Sequence, residues 1–415
     1  MNNYRISCDG AWEMGIKHPF AYLHSRRLET DNSVVVSNKY RFMKIPHGEL
    51  VTVLNMDGIY ALIQYNNVMG YMVKSYLKRE PIKRKLNKQL IRYFPTDKFF
   101  VIFNQQTGFQ LRSELPNGEE PQYSTLPELL DMTITHKCLK GCPYCYMRAS
   151  TKGKHASLRN IEKIFQQLEH KVFSTALGGG EPTLHPYFEQ ILQLAEKYDI
   201  VPNFSTGIIP TRQIAEIAAK YCGAVAMSYH GNIRETLTGI QQYYYAGVEQ
   251  VNVHIVLNTC SNAELRILLT QLEYLQKYNV PVSAVVFLRY KPVGRGATFR
   301  DENIYSNWAM FHKIIDGDHN YSFNIGVDSC LAPIIKAHHP NIPSETYDFC
   351  EAGAFSFYIN AVNMTASECS FDQFPGFNLK KIPVLDAWSK MNKTPPRISH
   401  CKLSFWRECG NKTCT

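Results

Sequence analysis

Between Leu129 and about Cys330 the chain repeats one unit, a short apolar strand followed by an amphipathic helix, and this repetition restricts the fold more than any other feature. The strand candidates are Leu130–Thr135, Phe173–Leu177, Val201–Ser205, Ala224–Ser228, Gln250–Leu257 and Val282–Leu288. Between them, apolar residues recur at helical spacing over Leu158–Lys171, Tyr187–Tyr198, Thr211–Tyr221, Arg234–Tyr245 and Ala263–Tyr278. Strands joined through helices lie parallel, because a tight turn can connect only antiparallel neighbours. Their crossovers are right-handed and the sheet curls. The expected fold is α/β, a partial (βα)6 TIM-like barrel over residues 129–325 with its chemistry at the C-terminal ends of the strands.

At 415 residues the chain is longer than such a barrel and leaves room for a module on either side. Hydrophobic residues make up 45% and charged residues 20%, and no run of about eighteen apolar residues could span a bilayer, so no membrane partner is expected. The opening MNNYRISCDGAWEMG lacks the basic start and apolar stretch of a secretory signal, which predicts a cytoplasmic location and reduced thiols. Twelve cysteines in a reducing compartment favour metal ligation over disulfides. Three of them lie together at the first strand, and six more lie beyond the repeats.

Before the repeats, runs rich in Val, Tyr and Ile alternate with turn residues over Gly48–Leu54, Tyr60–Tyr65 and Gly70–Val73. They predict a small all-β barrel over residues 1–78. The order Pro-x-Gly-Glu-x-Val-x-Val-Leu, a strand, a turn at Asn66-Asn67, Gly-Tyr-Met-Val and a closing Tyr-Leu resembles bacterial SH3-like domains. The resemblance implies a module that docks on the catalytic domain or recognises a substrate peptide. Residues 79–128 are read as a basic linker and a β-hairpin. The stretch Lys78–Arg92 carries seven basic residues against Glu80, which supplies six of the nine excess positive charges. A solvated linker accounts for it, and contact with an acidic peptide or a nucleic acid is the other reading. The hairpin runs Phe99–Phe103, turns at Gln105–Gly108 and returns over Phe109–Arg112.

Just past the first strand the chain reads Thr135-His136-Lys137-Cys138-Leu139-Lys140-Gly141-Cys142-Pro143-Tyr144-Cys145. Three thiolates this close can hold three irons of a 4Fe-4S cubane and leave the fourth without a protein ligand. Zinc is the alternative, with His136 completing a closed tetrahedron. The Cys-x3-Cys-x2-Cys loop after a first strand, with Tyr144 before the last cysteine, is similar to the signature of the radical S-adenosylmethionine (SAM) superfamily. In that family SAM binds the open iron, an electron cleaves its sulfonium, and the resulting 5′-deoxyadenosyl radical abstracts hydrogen from a substrate, so the difficult chemistry belongs to the cofactor. The resemblance implies an oxygen-sensitive enzyme with an electron donor such as flavodoxin or ferredoxin.

The second strand ends in Gly178-Gly179-Gly180-Glu181-Pro182, which by itself fits any tight strand-to-helix turn. Beside the cysteine loop it resembles the Gly-Gly-Glu-Pro motif of the family, and this implies SAM contacts at Gly179, Gly180 and Glu181. Family positions at later strand ends extend the SAM set to Thr206, Ser228 and Asn258, although Ser205-Thr206-Gly207 lacks the usual asparagine and each polar residue also fits an ordinary cap. Pro292-Val293-Gly294-Arg295-Gly296 resembles a Pro-x-Gly-Arg-Gly element of members that carry a C-terminal cluster domain. Tyr229, His230 and His254 are read as packed, hydrogen-bonded residues, and Cys222 and Cys260 as small buried ones.

The remaining group is Cys330, Cys350, Cys369, Cys401, Cys409 and Cys414. Cys350-Glu351-Ala352-Gly353, a hairpin and Cys369, followed by Asp386-Ala387-Trp388, resemble SPASM and Twitch auxiliary-cluster domains, so residues 326–415 are expected to form a cysteine-rich domain with at least one auxiliary 4Fe-4S cluster. The favoured ligands are Cys330, Cys350, Cys369 and one tail cysteine. A second cluster or a structural zinc at the tail are the alternatives. Members of this kind most often modify peptides or proteins, so a radical SAM enzyme acting on a peptide or protein is expected, and nucleic acid is not the expected partner. The rivals are a radical SAM enzyme for a small molecule and a non-catalytic iron-sulfur or zinc protein.

Overall fold

The computed structural model describes residues 84–391 except 117, 119–120, 278–279, 300–306, 318–319, 344–345, 348–349 and 372–375, and within residues 1–83 the strands alone. Cys401, Cys409 and Cys414 lie outside the described residues. Seven strands, β1 (Asn2–Ile6), β2 (Phe20–His24), β3 (Arg41–Pro46), β4 (Leu50–Asp57), β5 (Tyr60–Tyr65), β6 (Val68–Val73) and β7 (Leu77–Arg79), form an antiparallel sheet in the order β3-β2-β6-β5-β4-β1-β7. The three runs expected from sequence overlap β4, β5 and β6, with Gly48 and Glu49 outside the described residues.

The next three strands, β8 (Gln89–Phe94), β9 (Phe99–Asn104) and β10 (Gln110–Glu114), pair antiparallel in the order β10-β9-β8. The expected hairpin is β9 and β10, and the end of the basic stretch supplies a third strand. Leu90, Arg92 and Phe94 alternate inward along β8, and Arg92 lays its guanidinium 4.1 Å from the Phe173 ring while donating to the carbonyls of His170 and Lys171. Arg84 is buried and donates to the Gln105 and Gln106 carbonyls. Two of the seven charges are therefore structural rather than solvated. Phe94, Phe99, Val101 and Phe103 pack against Phe173, Val201, Ala354 and Phe355, residues at the N-terminal ends of the parallel strands described next. The small sheet closes that end of the barrel.

The parallel strands are β11 (Leu129–Thr135), β12 (Ser174–Gly179), β13 (Val201–Thr206), β14 (Ala224–Ser228), β15 (Gln250–Val256), β16 (Ala284–Leu288) and β17 (Asn324–Val327). They are connected through α1 (Leu158–Leu168), α2 (Phe188–Lys197), α3 (Arg212–Tyr221), α4 (Ile233–Ala246), α5 (Asn262–Lys277) and α6 (Trp308–Ile315). Six of the strands and five of the helices lie where periodicity placed them. Each helix turns one apolar stripe to the sheet, as Ile161, Ile164, Phe165 and Leu168 of α1 do under the cap of Ser157. Leu130, Met132 and Ile134 of β11 join that core, which leaves Asp131, Thr133 and Thr135 on the opposite face.

Past α7 (Ala332–His338), β18 (Ser356–Asn360) pairs parallel with the free edge of β11, and β19 (Thr365–Ser367) and β20 (Phe377–Asn378) continue outward antiparallel. The sheet therefore has ten strands in the order β17-β16-β15-β14-β13-β12-β11-β18-β19-β20 and stays open. The C-terminal hairpin is continuous with the barrel sheet. The last helix, α8 (Val384–Met391), is held by Trp388, which is 1% exposed, packs 5.4 Å from Phe357 and donates to the Thr125 carbonyl at 2.9 Å. Trp388→Ala removes that packing and leaves the carbonyl bare, so a loss of about 3–5 kcal/mol in urea unfolding is expected, against a loss below 1 kcal/mol if α8 were merely laid on the surface.

Candidate functional site

The loop that carries Cys138, Cys142 and Cys145 leaves β11 at its C-terminal end and is fixed mostly by contacts from other segments. On one side, residues 150–156 run beside it, with Cys138 donating to Ser150 at 2.9 Å, Ser150 to His136 at 3.1 Å and His136 to Lys154 at 2.8 Å. On the other side Gly180 donates to Thr135 and Glu181 to Lys137, both at 2.7 Å. A third hold comes from Arg295, whose amide donates to the Cys145 carbonyl and whose guanidinium donates to those of Cys142 (2.9 Å) and Ala149 (2.6 Å). Gly294, at φ +62°, makes this approach possible, since a Cβ there would stand 2.0 Å from the Tyr146 oxygen. The Gly-Arg-Gly element thus clamps the cysteine loop, a role that its arginine beside two glycines could have signalled.

The three thiols are half-buried and near one another. Burial pushes the Cys138 thiol up, with the Glu181 carboxylate and Cys145 adding to it, while the amides of Lys140 and Gly141 point at the sulfur and favour a thiolate. Cys142 is raised by burial and by Cys138 and Cys145, and lowered by Arg295. These donors fit a cluster: soft thiolates at a strand end, ringed by amides and one guanidinium. Among the described residues no three His, Cys, Asp or Glu converge as one metal ion requires, whereas a cubane takes each thiolate on a different iron. His136, the possible zinc ligand, is instead 3.1 Å from Asn360.

Gly179 and Gly180 are close-approach glycines. Built Cβ atoms would lie 2.4 Å from the Thr135 carbonyl and 2.1 Å from that of Lys137. Glu181 is 2% exposed, and its two oxygens accept from the Thr183 hydroxyl (2.7 Å), the Thr206 hydroxyl (2.8 Å) and the Gly207 amide (2.9 Å). The carboxylate therefore ties the end of β12 to the end of β13, and it brings Thr206 into the same cluster. Ser228 ends β14 opposite His254. Asn258, at φ +70°, donates its amide hydrogen to Asn307 and gives its side-chain oxygen to the Trp308 indole, so the structure places it toward α6.

His230 joins the site more closely than sequence suggested. Its Nδ1 lies 2.7 Å from the Tyr144 hydroxyl and 3.5 Å from the Cys142 sulfur. Burial, with Lys140 nearby, pulls it down to about 4, so at neutral pH an uncharged ring faces the cysteine loop. His254 is likewise held neutral, lowered by burial to about 4.

Cys330, Cys350 and Cys369 lie near enough to act on one another electrostatically. Burial raises the Cys330 and Cys369 thiols, and each is raised further by its cysteine neighbours. Lys291 is 6% exposed and pairs with Asp328 at 3.0 Å; burial disfavours its charge, but Asp328 and Cys330 outweigh that and push it up. The two cysteine groups touch through their next residues. Tyr146 follows Cys145 and packs with its ring tilted, 4.6 Å from that of Phe371, and Ser370, next to Cys369, hydrogen-bonds with both Tyr146 and Asp131. Tyr146, Met147, Arg148, Val293, Gly294, Ser370 and Phe371 line a cleft between the groups. Asp131, raised by burial to about 6, is a site residue that sequence reasoning missed, although an aspartate inside an apolar strand was its signal.

Residues 132–288 match the radical SAM superfamily. The chain is 33% identical over 116 residues to the mycofactocin maturase MftC of Mycobacterium ulcerans, covering 26% of this chain and 31% of that protein. With MftC of Mycobacterium tuberculosis it is 26% identical over 210 residues, 46% of this chain and 49% of the relative. The matches thus span less than half the length of these curated relatives. The fold superposes on Streptococcus suis SuiB bound to S-adenosylmethionine with a TM-score of 0.54, and on SuiB bound to the precursor peptide SuiA with 0.55. These cover 74% of this chain and 88% and 91% of SuiB, at 13% and 12% identity. At that identity the likeness is one of fold.

Two outcomes follow from the geometry. Gly294→Ala should displace the Arg295 clamp, so anaerobic reconstitution is expected to load the Cys138 loop poorly while far-ultraviolet circular dichroism is unchanged; wild-type iron content would contradict the clamp. For Asp131 the unfolded value is about 3.9, so the folded state holds the proton more tightly between about pH 4 and pH 6. That contribution is complete below about pH 4 and is lost as pH rises through about 6. Asp131→Asn should therefore gain stability over the wild type at pH 7 relative to pH 4, and equal differences at both pH values would remove the burial account.

Proposed function

We propose that this chain is a radical SAM enzyme that modifies a peptide or protein. The observation that carries the reading is the Cys138–Cys145 loop at the C-terminal end of the first strand of a curled parallel sheet, with Gly179-Gly180-Glu181 locked against it. The superfamily match over residues 132–288 supports the cofactor assignment, and the MftC and SuiB likenesses support a peptide substrate. When bound, a 4Fe-4S cluster and SAM supply one electron to the sulfonium and a carbon radical able to take a hydrogen atom from the substrate.

The chain's own residues would have distinct tasks. Cys138, Cys142 and Cys145 hold the cluster, and the amides of Lys140 and Gly141 offset thiolate charge. Gly179 and Gly180 keep the turn close, while Glu181 and Thr206 act through the turn they brace rather than as free polar groups. Ser228 is the further strand-end contact, and Asn258 contributes through its backbone, since Trp308 occupies its side-chain oxygen. Cys330, Cys350 and Cys369, with a tail cysteine, would hold a SPASM/Twitch-like auxiliary cluster, Lys291 lying against it. In this reading the seven-stranded sheet is an SH3-like module that holds the peptide, and the enzyme is cytoplasmic, oxygen-sensitive and dependent on an external electron donor. No helix among the described residues is long and apolar enough to cross a membrane.

Anaerobically reconstituted, dithionite-reduced protein is expected to release 5′-deoxyadenosine from SAM, and the variant with all three of Cys138, Cys142 and Cys145 changed to Ala to release none while retaining about four irons on the auxiliary site. Equal product from both proteins would end the proposal. A mass change in a short peptide encoded beside the gene is the expected substrate result. Cleavage of SAM with a small molecule altered instead would favour the rival substrate class.

A further inference from the structure

His230 sits in the turn between β14 and α4, and contacts on both sides fix its place. Tyr229 donates its amide to the His254 carbonyl at 2.9 Å, Gly231 takes φ +85°, and Asn232 caps α4 by accepting from the Glu235 amide at 3.1 Å. Glu235, in the first turn of that helix, pairs with Lys140 of the cysteine loop, which draws the turn and the loop together. The His230 ring lies on the backbone of Gly207, where a Cβ would stand 2.6 Å from Nε2, and it stacks with the Tyr144 ring at 6.1 Å between centroids. Its Nδ1 is thereby turned to the Tyr144 hydroxyl at 2.7 Å and the Cys142 sulfur at 3.5 Å.

Which ring nitrogen carries hydrogen follows from a chain of hydroxyl groups. The Val256 carbonyl can only accept, so the Thr259 hydroxyl, 2.7 Å away, donates to it. With its one hydrogen committed, Thr259 can only accept from Tyr144, to which it is hydrogen-bonded. The hydrogen of the Tyr144 hydroxyl is then committed as well, and its oxygen accepts from His230. The ring hydrogen therefore sits on Nδ1, the nitrogen that faces Cys142. A doubly protonated ring would carry the same Nδ1–H, so the assignment stands on geometry.

We infer that His230 donates its Nδ1–H to the sulfur of Cys142 and so raises the reduction potential of the cluster on the Cys138 loop, with Tyr144 and Thr259 fixing the tautomer from behind. The inference rests on the proposed function only in needing a cluster on that loop. Reduction adds one electron, and part of the added negative charge falls on the ligand sulfurs. An N–H aimed at one of them stabilises the reduced form more than the oxidised one. The hydrogen stays on nitrogen, so no proton accompanies the electron.

The test is a potentiometric titration with dithionite on reconstituted, SAM-loaded protein. It follows the electron paramagnetic resonance signal that SAM alters, which marks the cluster on this loop. His230→Leu keeps bulk and loses the donor, so reduction should become harder by about tenfold in equilibrium constant, a fall of about 59 mV for one electron. His230→Asn, whose side-chain amide reaches the position of Nδ1, should stay near the wild type. Thr259→Val leaves His230 in place but frees the Tyr144 hydroxyl to donate to Nδ1, which drives the ring hydrogen to Nε2; its potential should fall in the same direction as that of His230→Leu. Iron content and far-ultraviolet circular dichroism should match in all four proteins.

An unchanged potential in His230→Leu would overturn the assignment, and so would an equal fall in His230→Asn, which would mean lost packing rather than a lost donor. A fall in His230→Leu without one in Thr259→Val would overturn the relay. Loss of iron from His230→Leu would also sink the assignment, by making the residue part of cluster loading. A wild type that binds no iron through Cys138, Cys142 and Cys145 would strike the proposed function itself, an outcome distinct from a loaded cluster whose potential ignores His230.

Discussion

The backbone between Thr135 and Ala149 makes few regular bonds of its own, and its shape is set by three outside contacts: the strip at residues 150–156, the Gly180-Glu181 turn and the Arg295 clamp. A ligand loop has to hold its sulfurs still without filling the space in front of them. Regular structure would fill it. Holding the loop by its carbonyls and amides from behind leaves the sulfurs and the amides of Lys140 and Gly141 on the free side. The close approaches at Gly179, Gly180 and Gly294 belong to the same arrangement, because each brings a bracing segment nearer than a side chain would allow.

Rigidity at that end of the barrel is matched at the other. The small sheet of β8, β9 and β10 fills the N-terminal mouth with Phe94, Phe99, Val101 and Phe103, so the strands are packed from below and bear their functional loops above. Arg112 completes that end by bonding Glu128 and Glu351 and lying 3.6 Å from the Phe355 ring, which joins the hairpin to both edges of the β11–β18 pair.

What the sequence made legible was local. Apolar runs bounded by turns located six barrel strands, and the cysteine spacing singled out the loop that leaves β11, because both signals lie within a few adjacent residues. The misses are non-local or masked. Strand β17 is four residues, Asn-Ile-Gly-Val, too short and too mixed to register. Strand β18 reads as part of a hairpin, and nothing in Ser356–Asn360 announces that its partner is more than two hundred residues earlier. Strand β8 was hidden by the basic run that leads into it, and its one charge, Arg92, lies on Phe173. Within the site, the polar residues at strand ends were correctly placed on the rim, but their partners were not readable: the oxygens of Glu181 go to Thr183, Thr206 and Gly207, and the oxygen of Asn258 goes to an indole on α6.

The pairing of β18 with β11 has a consequence for how the molecule is made. During synthesis β11 emerges early, yet one of its edges stays bare until residue 360 has left the ribosome, with six strand-helix units translated in between. Contacts of such sequence separation form late and slowly, and an unpaired strand edge is prone to the wrong partner meanwhile. Because Tyr146 and Ser370 meet only when that edge is closed, the first cysteine group can reach its finished surroundings only after the second has been translated. Completion of the surroundings of the Cys138 loop is in that sense a post-translational event, timed by the topology of the sheet.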